Sequence, residues 1–333
     1  MPFTSIIVPC YNEEKTIRHL LDAILAQTYQ LAQMELIISD GMSTDRTREI
    51  IAAFQIEHPD LSVRVVENTT KTIPAALNQA IKNSRGEIII RLDAHSMPIP
   101  EYVARCVAAH EANKGANIGG VWEIRAGAQT KIAEAIANAA AHPLGVGDAL
   151  YRLNAKAGAV DTVPFGSFRR DLLDKIGMFD ETLLANEDYE FNTRVRESGG
   201  VVWLDPSIRS VYFSRGTLGK LATQYWRYGF WKLKMLQRYP HTLRWRQALP
   251  PLFVLILFAL IVLSLFIGTA RYILVAQLLA YFSALTLAGL KSAIEKRNGF
   301  LIIGLPLAIA TMHFSWGAGF LWSSIKSPIT LHS

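Results

Sequence analysis

Residues 87–96 read EIIIRLDAHS, an apolar run broken only by Arg91 that stops abruptly at Asp93 and His95. A strand with one wet face alternates apolar and polar residues, so an unbroken run of this length is that of a strand buried on both faces. Working outward, similar β-rich runs occur at 5–8, 36–39 and 63–66, with helical patterns at 15–26, 45–54 and 74–82 between them. Strands alternating with helices build a parallel α/β sheet. Ser43 and Thr72 stand where side chains cap the second and third helices. Open sheets of this kind bind ligands at the carboxyl ends of their strands, so the residues after each run are the candidates for chemistry.

Three acidic positions follow from that rule. Asp40 comes directly after the second run and can accept hydrogen bonds from a uracil edge or a ribose, or can close an Asx turn at Asp40-Gly41. Asp93 and His95 end the fourth run, where a carboxylate and an imidazole at i, i+2 can face one divalent ion or simply cap a turn. Glu187-Asp188, with Asn186 as a cap, opens a helical pattern. Acids in a first turn suit the helix dipole, and a base that activates a hydroxyl must also sit in such a loop. No G-x-G-x-x-G or P-loop is present, which speaks against a dinucleotide enzyme or an NTPase. The two cysteines, Cys10 and Cys106, offer neither a disulfide framework nor a zinc site.

The net charge of +6 is unevenly placed. Residues 1–205 carry 20 basic and 27 acidic side chains, whereas residues 206–248 carry 9 basic and none acidic. A basic block beside an almost uncharged tail points to a membrane surface and not to nucleic acid. The tail contains three apolar stretches, 249–269, 272–290 and 300–325, each long enough to cross a bilayer as a helix, the third softened by Pro306, His313 and several glycines. Basic flanks at 206–248 and at Lys291, Lys296 and Arg297 place those ends in the cytosol. No signal-peptide pattern precedes residue 15, so residues 1–248 are expected to stay cytosolic. Within 217–239, aromatic and basic residues interleave as in a helix lying in the interface, with Lys232, Lys234 and Arg238 directed to lipid headgroups.

Taken in order, SIIVPCYNEE, SDGMSTDRT, RLDAHS, FGSFRRDLLDKIGMFDE, NEDYEFNTRVRESG and QYWRYG resemble family 2 glycosyltransferases of the GT-A fold, most closely the succinoglycan glucosyltransferases of exopolysaccharide assembly. The likeness covers about residues 3–235. It implies that Pro9, Tyr11, Glu13 and Asp40, with Asp93, hold a nucleotide sugar. It implies a divalent metal, Mg²⁺ or Mn²⁺, at Asp93-Ala94-His95, where His95 replaces the usual carboxylate of an aspartate-x-aspartate motif. Neutral imidazole is a competent ligand for such a metal. Asp188 matches the catalytic base of a Glu187-Asp188 motif. Gln224-Tyr225-Trp226-Arg227-Tyr228 is similar to the Gln-x-x-Arg-Trp motif, which implies acceptor contacts for Gln224 and Trp226 and a diphosphate contact for Arg227.

The sequence therefore predicts a GT-A domain at 1–213, a mostly parallel sheet flanked by helices. An interfacial region at 214–248 and about three transmembrane helices within 249–325 follow. The expected activity is inverting transfer of glucose from UDP-glucose to a polyprenyl-linked saccharide at the cytoplasmic face of the inner membrane. Donor choice is expected to lie in the loops at 122–125 and 145–152. Transfer to a bare polyprenyl phosphate and processive synthesis are the alternatives within the class. A non-catalytic nucleotide-sugar-binding scaffold is the alternative outside it.

Overall fold

The structure is a computed structural model and describes residues 1–153 and 155–326. In chain order its elements are β1 (Thr4–Cys10), α1 (Ile17–Leu25), β2 (Met34–Asp40), α2 (Thr47–Glu57), β3 (Ser62–Glu67), α3 (Ile73–Lys82), β4 (Ile88–Arg91), β5 (Ser96–Pro98), α4 (Tyr102–Glu111), β6 (Asn117–Arg125), α5 (Lys131–Ala140) and α6 (Pro143–Val146). They continue as β7 (Gly158–Ala159), β8 (Ser167–Arg169), α7 (Leu172–Ile176), α8 (Glu187–Glu197), β9 (Val202–Phe213), α9 (Leu218–Arg238), α10 (Trp245–Ser264), α11 (Gly268–Lys296) and α12 (Leu301–Lys326). The chain divides into two compact units, one of Met1–Glu123 with Leu150–Tyr212, the other of Ile124–Ala149 with Phe213–Ser333.

The first unit is built on a sheet of order β3-β2-β1-β4-β8-β6-β9-β5, with β7 on β9. Strands β3, β2, β1 and β4 run parallel, as the alternating pattern predicts. Strand β8 joins β4 and β6 antiparallel, and β5 and β7 join β9 antiparallel. The sheet is therefore mixed, and the expectation of a mostly parallel one holds only for the half read from residues 1–92. Alternation explains the apolar runs. Ile6, Val8, Leu36, Ile38, Ile88 and Ile90 pack under α1, α2 and α4, while Ile7, Ile37 and Ile89 pack against Leu77, Ile81, Phe168 and Phe191 on the other face. Strand order reverses between β1 and β4, which opens a crevice at the carboxyl ends of those two strands.

Three expected caps are corrected. Helix α2 starts at Thr47, not beside Ser43, and Asp45 accepts from the Thr47 N–H at 3.0 Å. The Ser43 hydroxyl is bound instead to Asp40. Thr72 and Asn186 hold the N-cap positions of α3 and α8, but neither side chain makes the capping hydrogen bond.

Beneath the sheet, His110 on α4 lies 3.1 Å from Ser167 Oγ, which itself donates to the Ile118 carbonyl at 3.0 Å. With the hydroxyl proton committed to Ile118, the imidazole donates to Ser167 through Nε2. Burial, aided by Arg169, lowers its pKa from 6.5 to about 4. Between those values the unfolded chain binds the extra proton, so stability falls as pH drops from about 6.5 towards 4, by roughly 3 kcal/mol at most. His110→Gln, which keeps a donor to Ser167, should flatten the fall of the unfolding midpoint measured across that range; an unchanged slope would contradict the assignment.

Among the described residues the second unit contains three helices long and apolar enough to cross a membrane: Trp245–Ser264, Gly268–Lys296 and Leu301–Lys326. The third, softened in sequence, is the central one. Its small residues admit neighbouring backbones, since a Cβ on Gly319 would sit 2.3 Å from the Trp226 carbonyl oxygen and one on Gly229 of α9 would sit 2.1 Å from that of Trp316. Gly319→Val should destabilise this unit by about 1–3 kcal/mol, as overpacking does, read as an earlier unfolding midpoint in detergent. The same packing corrects one expectation. Lys232 is 1% exposed, with its ammonium 3.4 Å from Met235 Sδ, so it faces α9's own protein neighbours and not lipid headgroups.

Candidate active site

The loops after β1, β2 and β4 are sewn together at the crevice. Asn12 N donates to Ser43 Oγ at 2.9 Å, Glu13 N to Thr47 Oγ1 at 2.8 Å, and Thr44 N to Asn12 Oδ1 at 2.8 Å. Asp40 is fully buried, and its carboxylate accepts from Ser43 N at 3.0 Å and from Ser43 Oγ and Arg48 Nε at 2.5 Å each. These bonds close the turn after β2 and tie it to α2 through an ion pair. Pro9 lies within β1, and Tyr11 stands 47% exposed above it, its ring 5.6 Å from the Lys71 ammonium. A Cβ on Gly41 would lie 3.2 Å from the Tyr11 side chain, a tight contact.

Glu13 Oε1 lies 3.1 Å from His95 Nδ1, which links the first and fourth loops. A carboxylate at that distance accepts from Nδ1–H, which favours the tautomer in which an imidazole ligates a metal through Nε2 with an acid behind it. Asp93, half-buried, has Oδ1 3.2 Å from Arg91. Among the described residues no three His, Cys, Asp or Glu side chains gather into a cluster that could hold a metal ion. Two protein donors suit an ion that keeps waters and takes its other ligands from substrate phosphates. The donor set is thus compatible with Mg²⁺ or Mn²⁺ only in company with such a substrate.

Glu187 and Asp188 open α8 and take opposite roles. Glu187 is buried against Arg91, with Oε1 3.0 Å from Nη2, while Asp188 is half-buried and accepts from the Tyr189 N–H at 2.7 Å. Burial raises the Glu187 pKa against the pull of Arg91, and Asp188 raises it further. Burial would lower the pKa of Arg91, yet Asp93 and Glu187 hold it above its usual value. Arg91 is the residue that the sequence reading passed over. Its signal was there: a charge inside a strand buried on both faces requires a buried counter-charge.

Backbone strain marks the same rim. Of the non-glycine residues with positive φ, Asn12, Met42 and Lys71 follow β1, β2 and β3, Phe165 precedes β8 beside the end of β4, and Asn186 precedes α8. Such conformations cost roughly 1–3 kcal/mol each and concentrate at functional sites. Beside the rim, Trp122 stacks on Tyr212 at 4.1 Å, and the Arg152 guanidinium lies 4.8 Å from the Trp122 ring. These residues give a geometry to the loops expected to choose the donor. Gln224, Trp226 and Arg227 stand on α9 of the second unit, Trp226 and Arg227 exposed.

Residues 5–177 match the family model described as Glycosyl transferase family 2. The chain is 28% identical over 338 residues to the dolichyl N-acetyl-alpha-D-glucosaminyl phosphate 3-beta-D-2,3-diacetamido-2,3-dideoxy-beta-D-glucuronosyltransferase of Methanococcus voltae, covering 99% of each chain. It is 28% identical over 317 residues to succinoglycan biosynthesis protein ExoA of Rhizobium meliloti (strain 1021), covering 95% of this chain and 93% of that one. Among solved structures, mannosyltransferase PcManGT from Pyrobaculum calidifontis in complex with GDP-Man and Mn²⁺ gives a TM-score of 0.60 at 20% identity, over 93% of this chain and 87% of that one. TarS 1-349 of S. aureus in complex with UDP-GlcNAc gives 0.51 at 16% identity, over 97% and 91%. At these identities the two structures speak for the fold.

Proposed function

The chain belongs to glycosyl transferase family 2, with a GT-A-type sheet, and from that premise we propose that it is an inverting enzyme moving glucose from UDP-glucose onto a lipid-linked saccharide at the cytoplasmic face of a membrane. One observation carries this reading: Asp93 and Glu187, far apart in sequence, meet around one buried guanidinium at the strand ends, and Asp188 adjoins Glu187 at the start of α8. Binding alone has no use for a second acidic group of that kind, whereas a displacement needs one group at the leaving end and one at the attacking end.

In the proposed step the Asp188 carboxylate removes the proton of an acceptor hydroxyl. The oxygen forms its bond to the anomeric carbon as the bond from that carbon to the diphosphate oxygen breaks, releasing UDP with inversion. Pro9, Tyr11 and Glu13 frame the nucleotide end, with Asp40 holding their loop in shape through Ser43. Asp93 and His95 would hold a Mg²⁺ or Mn²⁺, which when bound neutralises charge developing on the diphosphate. The roles implied for Gln224 and Trp226 at the acceptor and Arg227 at the diphosphate belong to the same proposal.

The named activity of the M. voltae relative, on a dolichyl phosphate-linked sugar, supports the acceptor class, and three membrane-length helices with basic flanks support a multi-pass anchor with the first unit in the cytosol. The test is a donor screen. Purified full-length protein is incubated with UDP-glucose, UDP-glucuronic acid, UDP-GlcNAc or GDP-mannose and extracted polyprenyl-linked saccharides, and the lipids are weighed by mass spectrometry. A single hexose increment with UDP-glucose is the expected result. An increment with another donor moves the donor assignment, and donor binding without any lipid product would favour a scaffold.

A further inference from the structure

Arg91 has no place in that chemistry as written, yet its setting is closely constrained. Its side chain is 6% exposed at the last residue of β4. Both Nε and Nη2 lie 3.2 Å from Asp93 Oδ1, and Nη2 lies 3.0 Å from Glu187 Oε1. Its own N–H donates to the Gly166 carbonyl at 3.0 Å, which ties the end of β4 to the loop before β8. The remaining nitrogen, Nη1, is buried without a hydrogen-bond partner. Removed from water, one cation divided between two carboxylates is poorly screened, and a firmer hold on one is a looser hold on the other.

Resting on the reading that Asp93 serves the donor and Asp188 the acceptor, we infer that Arg91 is a positioning residue coupling the two ends of the site. Through it, the Glu187 carboxylate sets how much of the negative charge on Asp93 is left for the donor's diphosphate end. Changes at the start of α8 that alter the bond between Glu187 and Arg91 are therefore transmitted to donor affinity across the guanidinium, whereas a change at Asp188 that leaves that bond in place is not. A merely structural ion pair would stabilise the fold without linking the two affinities.

The experiment is a double-mutant cycle on UDP affinity, measured by calorimetry on the full-length protein with Mn²⁺ in excess and therefore independent of turnover. Glu187→Gln keeps an oxygen for Arg91 but removes the charge, so Arg91 turns its attraction to Asp93. UDP binding should weaken about 10-fold, the lower end of what loss of a supporting shell costs a metal site. In an Arg91→Met background the same change should move the Kd by less than about twofold, because the route between the carboxylates is gone. Equal shifts in both backgrounds, or no shift from Glu187→Gln alone, would overturn the coupling. If Arg91→Met does not fold, Arg91→Lys replaces it; one ammonium cannot face both acids as a planar guanidinium does, and an undiminished Glu187→Gln effect there also overturns the inference. A wild-type chain that binds no UDP refutes the nucleotide-sugar reading itself, and the coupling falls with it.

Discussion

Asp188→Asn is expected to lower sugar transfer by about 10²–10⁴-fold while leaving UDP affinity within about twofold of wild type. The substitution is nearly isosteric, and its remaining oxygen can still accept from the Tyr189 N–H that Asp188 holds at 2.7 Å. The start of α8 should therefore keep its shape, and Glu187 its bond to Arg91. What disappears is a group able to take a proton from an acceptor hydroxyl. A loss confined to kcat, with the donor Kd held, is what removal of an interaction made only in the transition state produces. A variant retaining more than about a tenth of wild-type turnover would remove Asp188 from the role of base.

The parallel half of the sheet was legible because its strands are buried on both faces, and burial leaves an unbroken apolar run. Strands β5, β7 and β8 left no such trace. They are two or three residues long and are paired by contacts distant in sequence, such as Ile90 with Ser167 and Ser96 with Tyr212. The cap expected at Ser43 was misplaced for a related reason. Ser43 has the right residue type and offset, but its hydroxyl is committed to Asp40 across a turn, a competition that helix patterning does not register. Lys232 shows the same limit on a helix: its spacing among aromatics fits an interfacial face, yet the side chain is buried.

The candidate site was legible as a set of separate positions and not as a connected one. Asp93, His95, Glu187 and Asp188 each follow or open an element, where chemistry is expected. That Glu13 reaches His95, and that Arg91 joins Asp93 to Glu187, depends on the reversal of strand order between β1 and β4 and on β8 bringing Phe165-Gly166 beside the end of β4. A charged residue in a doubly buried strand was the one local sign of that arrangement.

Asp93→Ala should abolish the Mn²⁺-dependent part of UDP affinity, so that its Kd in Mn²⁺ equals its Kd in EDTA, and should reduce transfer by at least about 10²-fold, the consequence of losing several kcal/mol of charge stabilisation at the leaving group. His95→Ala should do the same to a smaller degree, since its imidazole carries no negative charge and is held by Glu13. Alanine at 93 also strips Arg91 of one of its two carboxylates, so part of the loss could come from a disturbed fold. Asp93→Asn separates the two effects. The amide oxygen still accepts from Arg91 across the 3.2 Å now bridged by Oδ1, while the negative charge offered to a cation is gone. If the metal site is at Asp93, Asn should lose Mn²⁺-dependent affinity nearly as fully as Ala yet keep the wild-type unfolding midpoint to within a few degrees. Wild-type activity that is the same in EDTA as in Mn²⁺ would show that the charge of Asp93 answers to Arg91 alone.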